Sequence, residues 1–226
     1  MPKFEFIVFD FDGTIADTRR GVFDSIIYAL TSYGYKVPDE SVLNSFLGPP
    51  LYESFKKTTG CTDEMAHTLT AKYRELYTDN AMYRLNLFDG IEEMLKEMKA
   101  NGIKMAIASS KPEKFFSKLL KHLGITEYFD VVCGASLGDI HNTKQAIIAR
   151  AMEELSAEKD KTLMVGDRVF DIDGAKKNGI KSAGVVFSFD YTEELEKAGV
   201  ADKLKSGIIN KTFYKLFVKS KSFEAD

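Results

Sequence analysis

Hydrophobic residues along this chain fall into two kinds of run. Short unbroken ones occur at Phe4–Phe9, Ile103–Ala108, Asp130–Cys133, Thr162–Val165 and Ser182–Val186. They lack the alternation of half-exposed strands and suit strands buried on both faces of a parallel sheet. Between them, apolar residues recur at helical spacing. Ile91, Met94, Leu95 and Met98 share one face and stop at Gly102. Phe115, Phe116, Leu119, Leu120 and Leu123 share another, which opens with Pro112 in its first turn and closes at Gly124. Ile147, Ile148, Ala151 and Leu155 repeat the pattern. Strand and helix in alternation predict an α/β fold, a doubly wound parallel sheet of Rossmann-like form with helices on both faces.

One segment interrupts that alternation. From Thr18 to Leu87 only helical patterns are found. Val22, Ile26, Ile27, Leu30 and Tyr33 form a face that ends at Gly34. Asp39 is placed to cap a short helix through Val42, Leu43 and Phe46, and Thr62 or Asp63 to begin another past Leu69, Tyr73 and Leu76. A plain crossover needs far fewer than the roughly 70 residues involved. Residues 18–87 are therefore expected to form an inserted α-helical cap domain, and residues 1–17 with 88–226 the α/β core. An insertion rooted beside a site can act as its lid.

Composition narrows the classes of function. The chain has 226 residues, 44% hydrophobic and 29% charged, an ordinary globular balance. A net charge of −3 argues against a nucleic-acid footprint or an anionic-membrane surface. No apolar run approaches the ~20 residues that span a bilayer, and "KFEFIVFD" begins without the pattern of a signal peptide. Cys61 and Cys133 are far apart and form no CxxC pair, so a reducing cytoplasm is the expected compartment. Either a monomer or a homodimer is compatible with this composition.

Candidate chemistry gathers where the strands end, as ligands of open parallel sheets bind outside the carboxyl ends. The first strand runs into Asp10, Phe11, Asp12, Gly13 and Thr14. Two carboxylates so close raise each other's pKa and cost stability unless a cation or a chemical task compensates. The second strand ends in Ser109, Ser110 and Lys111, and the loop after the third leads to Thr143 and Lys144. The fourth ends in Gly166, Asp167 and Arg168, followed by Asp171 and Asp173.

"DFDGT", Ser109 after an apolar strand, Lys144 and "GDRVFD", in that order, resemble the haloacid dehalogenase-like hydrolase superfamily. The helical segment between the first two motifs is similar to the cap of the phosphoglycolate-phosphatase-like branch. "LGPPLYESF" and "GVVFSFDYTEELEKAGV" are similar to members of that branch described as 5'-nucleotidases. The resemblance implies a phosphomonoester hydrolase that acts on small phosphorylated metabolites with Mg²⁺ as cofactor. It implies Asp10 as the nucleophile that forms an aspartyl-phosphate and Asp12 as general acid, then general base. Mg²⁺ would be held by the Asp10 and Asp167 carboxylates and the Asp12 carbonyl, with Asp171 in support. Ser109 and Ser110 would bind the phosphoryl group, Lys144 would neutralise it, and the N–H groups of Gly13 and Thr14 would cradle it. The hydroxyl motif is often Thr-Asn in this family, and its lysine often precedes proline. Lys111 therefore stands as a rival to Lys144 for the lysine role.

Blander readings exist for several of these residues. Asp171 could be a helix N-cap, Asp173 a surface charge, and His67, His122 and His141 incidental. Phe46, Tyr52 and Phe55 could be cap core or a wall for a nucleobase. Arg19, Arg20, Lys56 and Lys57 are candidates to meet a phosphoglycolate carboxylate. Asp12 counts against a metal-free dehalogenase. A phosphomutase-type phosphotransferase shares the same motifs, and a non-catalytic phosphate sensor should have lost at least one of Asp10, Asp12, Lys144 and Asp167.

Overall fold

The computed structural model describes residues 4–47, 49–136, 143–187, 192–197 and 203–205. Its strands are β1 (Phe6–Phe9), β2 (Ala16–Asp17), β3 (Asn86–Leu87), β4 (Lys104–Pro112), β5 (Val131–Ala135), β6 (Thr162–Gly166), β7 (Lys181–Val186) and β8 (Lys203–Lys205). Its helices are α1 (Arg19–Ser32), α2 (Glu40–Asn44), α3 (Leu51–Thr59), α4 (Asp63–Asp79), α5 (Ile91–Ala100), α6 (Phe116–Leu123), α7 (Lys144–Glu154), α8 (Val169–Asn178) and α9 (Thr192–Lys197). His141 and part of the 184–200 tail lie outside the described residues.

β1 is apolar throughout because it has no solvent face. Ile7, Val8 and Phe9 are all buried, each worth about 1.5–3 kcal/mol of transfer free energy. It lies at the centre of a parallel sheet of order β5-β4-β1-β6-β7-β8. Val8, with Ala106, Ala108, Cys133 and Met164, packs against Ile147, Ile148, Ala151 and Met152 of α7 and Ala175 of α8. On the other face the Phe9 ring meets Phe129 edge-on at 6.4 Å. The strand order reverses around β1, which creates the crevice where such sheets bind ligands. Phe9 is level with Ile107 of β4 and with Val165 of β6. The next residues out, Asp10, Ala108 and Gly166, therefore lie side by side.

Several elements differ from the sequence expectation. β4 runs past Ala108 to Pro112, so Pro112 ends a strand instead of opening a helix, and α6 starts at Phe116 after a 3₁₀ turn over Glu113–Phe115. The pairing with β5 shifts register between Ala108 and Pro112, which face Cys133 and Ala135. Ser109, Ser110 and Lys111 are thus carried on a bulge, a device that re-aims side chains beside functional sites. Asn86 and Leu87, grouped with the helices from sequence, instead pair antiparallel with Asp17 and Ala16.

Residues 18–85 cluster as one compact unit, and the remainder of the chain as another. Within the helical unit, Asp39 caps α2 by accepting the Val42 N–H at 3.0 Å, and the Thr62 hydroxyl caps α4. Phe46 and Phe55 are buried with rings edge-on at 5.1 Å. α1 approaches the 3₁₀ turn Ala81–Tyr83 so closely that a Cβ on Gly21 would lie 2.1 Å from the Ala81 carbonyl oxygen. No helix among the described residues is long and apolar enough to cross a membrane.

Candidate active site

Asp10 is fixed at both ends of its residue. Its backbone N–H donates to the Val165 carbonyl, extending the sheet by one step. Its carboxylate Oδ1 accepts a hydrogen bond from Lys144 Nζ at 2.7 Å. Lys144 opens α7, whose N-cap Thr143 accepts the Ala146 N–H. The lysine also donates to the Ala108 carbonyl at 2.8 Å and lies 2.8 Å from Asp171 Oδ1. Between the two lysines left open from sequence, it is Lys144 that meets Asp10 and Asp171. The Lys111 ammonium lies 3.1 Å from Asp12 Oδ1 instead.

Asp167 and Asp171 complete the cluster. Asp167 follows β6 and accepts a hydrogen bond from the Thr14 hydroxyl at 3.0 Å. Asp171 is not the N-cap of α8: Arg168 takes that place, and the Asp171 carboxylate turns back to accept the Arg168 N–H at 3.0 Å. Oxygens of Asp10, Asp167 and Asp171 all lie within 4.8 Å of one another, and all three residues are buried. Three carboxylates against the single Lys144 ammonium leave two negative charges when all are ionised.

That excess shows in the acidities. Burial, then the charges of Asp10 and Asp171, push the Asp167 carboxyl well above the ordinary carboxylate range. Burial raises Asp171 to about 6, with Lys144 pulling it down and Asp10 pushing it up. Burial alone would lower Lys144, but Asp10 and Asp171 outweigh it and hold the ammonium above its ordinary value. Asp171 Oδ1 and Asp12 Oδ1 are buried without an aligned hydrogen bond, although each has an ammonium close by. Clustered oxygen donors, two surplus negative charges and an under-satisfied buried oxygen fit a small divalent cation.

Two glycines make room for these carboxylates. Gly13, at φ +83°, would place a Cβ 2.3 Å from Asp167 Oδ2, and a Cβ on Gly166 would lie 2.3 Å from Asp171 Oδ2. The role expected of Gly13 and Thr14 is corrected accordingly. Their N–H groups donate to Ala16 and Phe11 carbonyls rather than standing ready for an anion. Gly13 provides space, and Thr14 acts through its hydroxyl. Gly166 is part of the "GDRVFD" motif seen in the sequence, but its role in leaving room for Asp171 has no signal there.

Ser109 is buried within β4 and its Oγ accepts the Lys111 N–H at 3.4 Å, while Ser110 is exposed. Asp173 is exposed on α8. His67 is exposed on the helical unit, its ring 4.5 Å from the Tyr52 ring. Lys56 is engaged with Asp63 at 2.5 Å. The aromatic wall considered from sequence loses two of its three members, because Phe46 and Phe55 belong to the core of the helical unit.

Known proteins give the same picture. The haloacid dehalogenase-like hydrolase family matches residues 7–185. A 5'-nucleotidase of Pseudomonas aeruginosa is 33% identical over 189 residues, covering 84% of this chain and 86% of the relative. The tyrosine-protein kinase PtkA of Mycobacterium tuberculosis is 32% identical over 193 residues, 85% of this chain but 66% of that protein's length. Among solved structures, a candidate phosphatase from Clostridium difficile superimposes with a TM-score of 0.86 at 33% identity, covering 93% of this chain and 98% of its own. The chain therefore belongs to the haloacid dehalogenase-like hydrolases, as an enzyme of their phosphatase kind.

Proposed function

We propose that this enzyme is a Mg²⁺-dependent phosphomonoesterase that acts on small metabolites through an aspartyl-phosphate on Asp10. The observation that carries the reading is the convergence of Asp10, Asp167, Asp171 and Lys144 at the carboxyl end of β1. The carboxylates of Asp10, Asp167 and Asp171, with the Asp12 carbonyl, would hold the cation. When bound, Mg²⁺ supplies positive charge beside the phosphoryl oxygens and lets neighbouring carboxylates stay ionised.

The chain's own residues account for the rest. Lys144 holds one Asp10 oxygen and leaves the other to attack phosphorus. The bond from phosphorus to the leaving oxygen breaks as the Asp12 carboxyl gives that oxygen its proton. Asp12 then takes a proton from water, whose oxygen attacks phosphorus and releases orthophosphate from Asp10. Ser109 donates to a phosphoryl oxygen, and the Lys144 charge offsets that of the phosphoryl group from its place beside Asp10. We read the helical unit as the part that selects the leaving group, and 5'-nucleoside monophosphates as substrates, in line with the relative from P. aeruginosa. Two free cysteines support a cytoplasmic setting.

A panel of phosphate esters assayed for released phosphate, with and without Mg²⁺, tests the proposal. Release that stops in chelator and includes nucleoside monophosphates supports it. Full turnover in chelator refutes the metal dependence, and strong phosphoglycolate turnover without nucleotide hydrolysis refutes the substrate class. Transfer of phosphate to an acceptor hydroxyl in place of water would mark a phosphotransferase.

A further inference from the structure

The phosphate-binding bulge is clasped from behind by a group that touches no reacting atom. Glu113 accepts the Gly134 N–H at 3.0 Å, and Arg150 of α7 pairs with the same Glu113 oxygen. Arg150 also donates to the Gly134 carbonyl at 2.8 Å. Gly134 lies directly against the far end of the bulge: a Cβ there would sit 2.6 Å from the Lys111 carbonyl oxygen and 2.6 Å from the Glu113 backbone. On the near side of the same bulge are Ser109 and Lys111, and Lys111 reaches Asp12. The helix that presents Lys144 to Asp10 thus also carries the arginine that fixes the opposing wall of the site.

Its stability value is small. Arg150 and Glu113 side chains remain 37% and 47% exposed, and ion pairs with that much water contribute ~1 kcal/mol or less. A guanidinium that engages a carboxylate and a carbonyl together has a different merit, which is fixed geometry. The register shift between Ala108 and Pro112 leaves the bulge without continuous ladder bonds to β5, so its conformation depends on ties at its end.

We propose that Arg150, with Glu113, is a positioning residue that sets the Ser109–Lys111 bulge at the distance required to bind the transferring phosphoryl group. This inference rests on the phosphatase reading. Misplacement of about 1 Å costs on the order of 100-fold in a preorganised site. Arg150→Met should therefore weaken competitive inhibition by orthophosphate and raise KM about ten- to 100-fold. The concentration of Mg²⁺ for half-activation should stay the same, because its carboxylates come from the ends of β1 and β6 and from α8, whereas Arg150 ties Glu113 and Gly134. Arg150→Lys should recover part of the loss, and Glu113→Gln should resemble Arg150→Met. Calorimetric titration with orthophosphate in Mg²⁺ measures the same affinity without turnover.

A merely structural tie would lower the unfolding midpoint while orthophosphate affinity stayed at the wild-type value, and that result overturns the inference. So does equal loss of Mg²⁺ and orthophosphate binding. A wild-type enzyme that releases phosphate from no ester would instead overturn the phosphatase reading.

Discussion

Metal-free enzyme should lose stability as pH rises through the weakly acidic range, and Asp171 allows the loss to be estimated. Its carboxyl is raised to about 6 in the fold from an ordinary 3.8. Below that ordinary value both folded and unfolded chains hold the proton, and the group costs nothing. As pH rises, the unfolded chain ionises first, so folding is penalised until the folded carboxyl ionises in turn. One pKa unit is 1.36 kcal/mol, so the full penalty is about 3 kcal/mol, with about 2 kcal/mol of it arising between about pH 4.5 and about pH 7.5. Asp171→Asn keeps an acceptor for the Arg168 N–H but has no proton to lose. Urea unfolding in chelator at the two pH values should show the wild type losing about 2 kcal/mol relative to this variant as pH rises. Asp167 shifts in the same direction, and because the Asp171 charge is one cause of that shift, the variant also eases part of the Asp167 penalty, which adds to the difference. Saturating Mg²⁺ should abolish the wild-type loss, since a cation stabilises the ionised carboxylates. Parallel pH dependences of the two proteins in chelator, or a relative gain by the wild type, would refute the electrostatic account of this cluster.

Other perturbations separate the roles of the remaining residues. Asp10→Asn should abolish turnover and the burst of covalent phosphorylation while circular dichroism stays native; retained turnover would mean another nucleophile. Asp12→Ala should slow alkyl phosphates by ~10²–10⁴-fold and nitrophenyl phosphate by less, because a good leaving group needs little protonation. Equal losses on both esters would contradict its role as acid. Gly166→Ala should weaken Mg²⁺ activation at least about tenfold by displacing Asp171, since the new Cβ would lie 2.3 Å from the carboxylate; an unchanged Mg²⁺ titration would show that the site relaxes freely. Tyr52→Ala should raise KM for 5'-nucleoside monophosphates more than for phosphoglycolate, and equal shifts would remove Tyr52 from substrate selection.

What could be read from sequence divides along physical lines. β1, β4 and β6 were visible because strands buried on both faces leave unbroken apolar runs. β8 is Lys-Leu-Lys, and β2 and β3 are two residues each, too short and polar to leave a period. Asp10 and Asp12 announced themselves by placing charge at the end of an apolar strand. Lys144, 134 positions from Asp10, has no local signature and was reached through motif order. Arg150 was silent for a related reason. Its work consists of ties to Glu113 and Gly134, remote in sequence, which no window along the chain contains.

β2 and β3 are the smallest elements of the fold, yet they govern how it can change. The chain departs for the helical unit after Asp17 and returns at Asn86, and those two residues are direct antiparallel partners. To the sheet, the whole intervening segment is equivalent to the turn of a hairpin. Loop closure depends only weakly on length once the ends are paired, so the insertion can grow, shrink or be exchanged without altering the register of β1, β4 and β6. Chemistry and selectivity can then diversify on separate schedules, one tied to the strand ends and the other to the segment inserted between two adjacent residues.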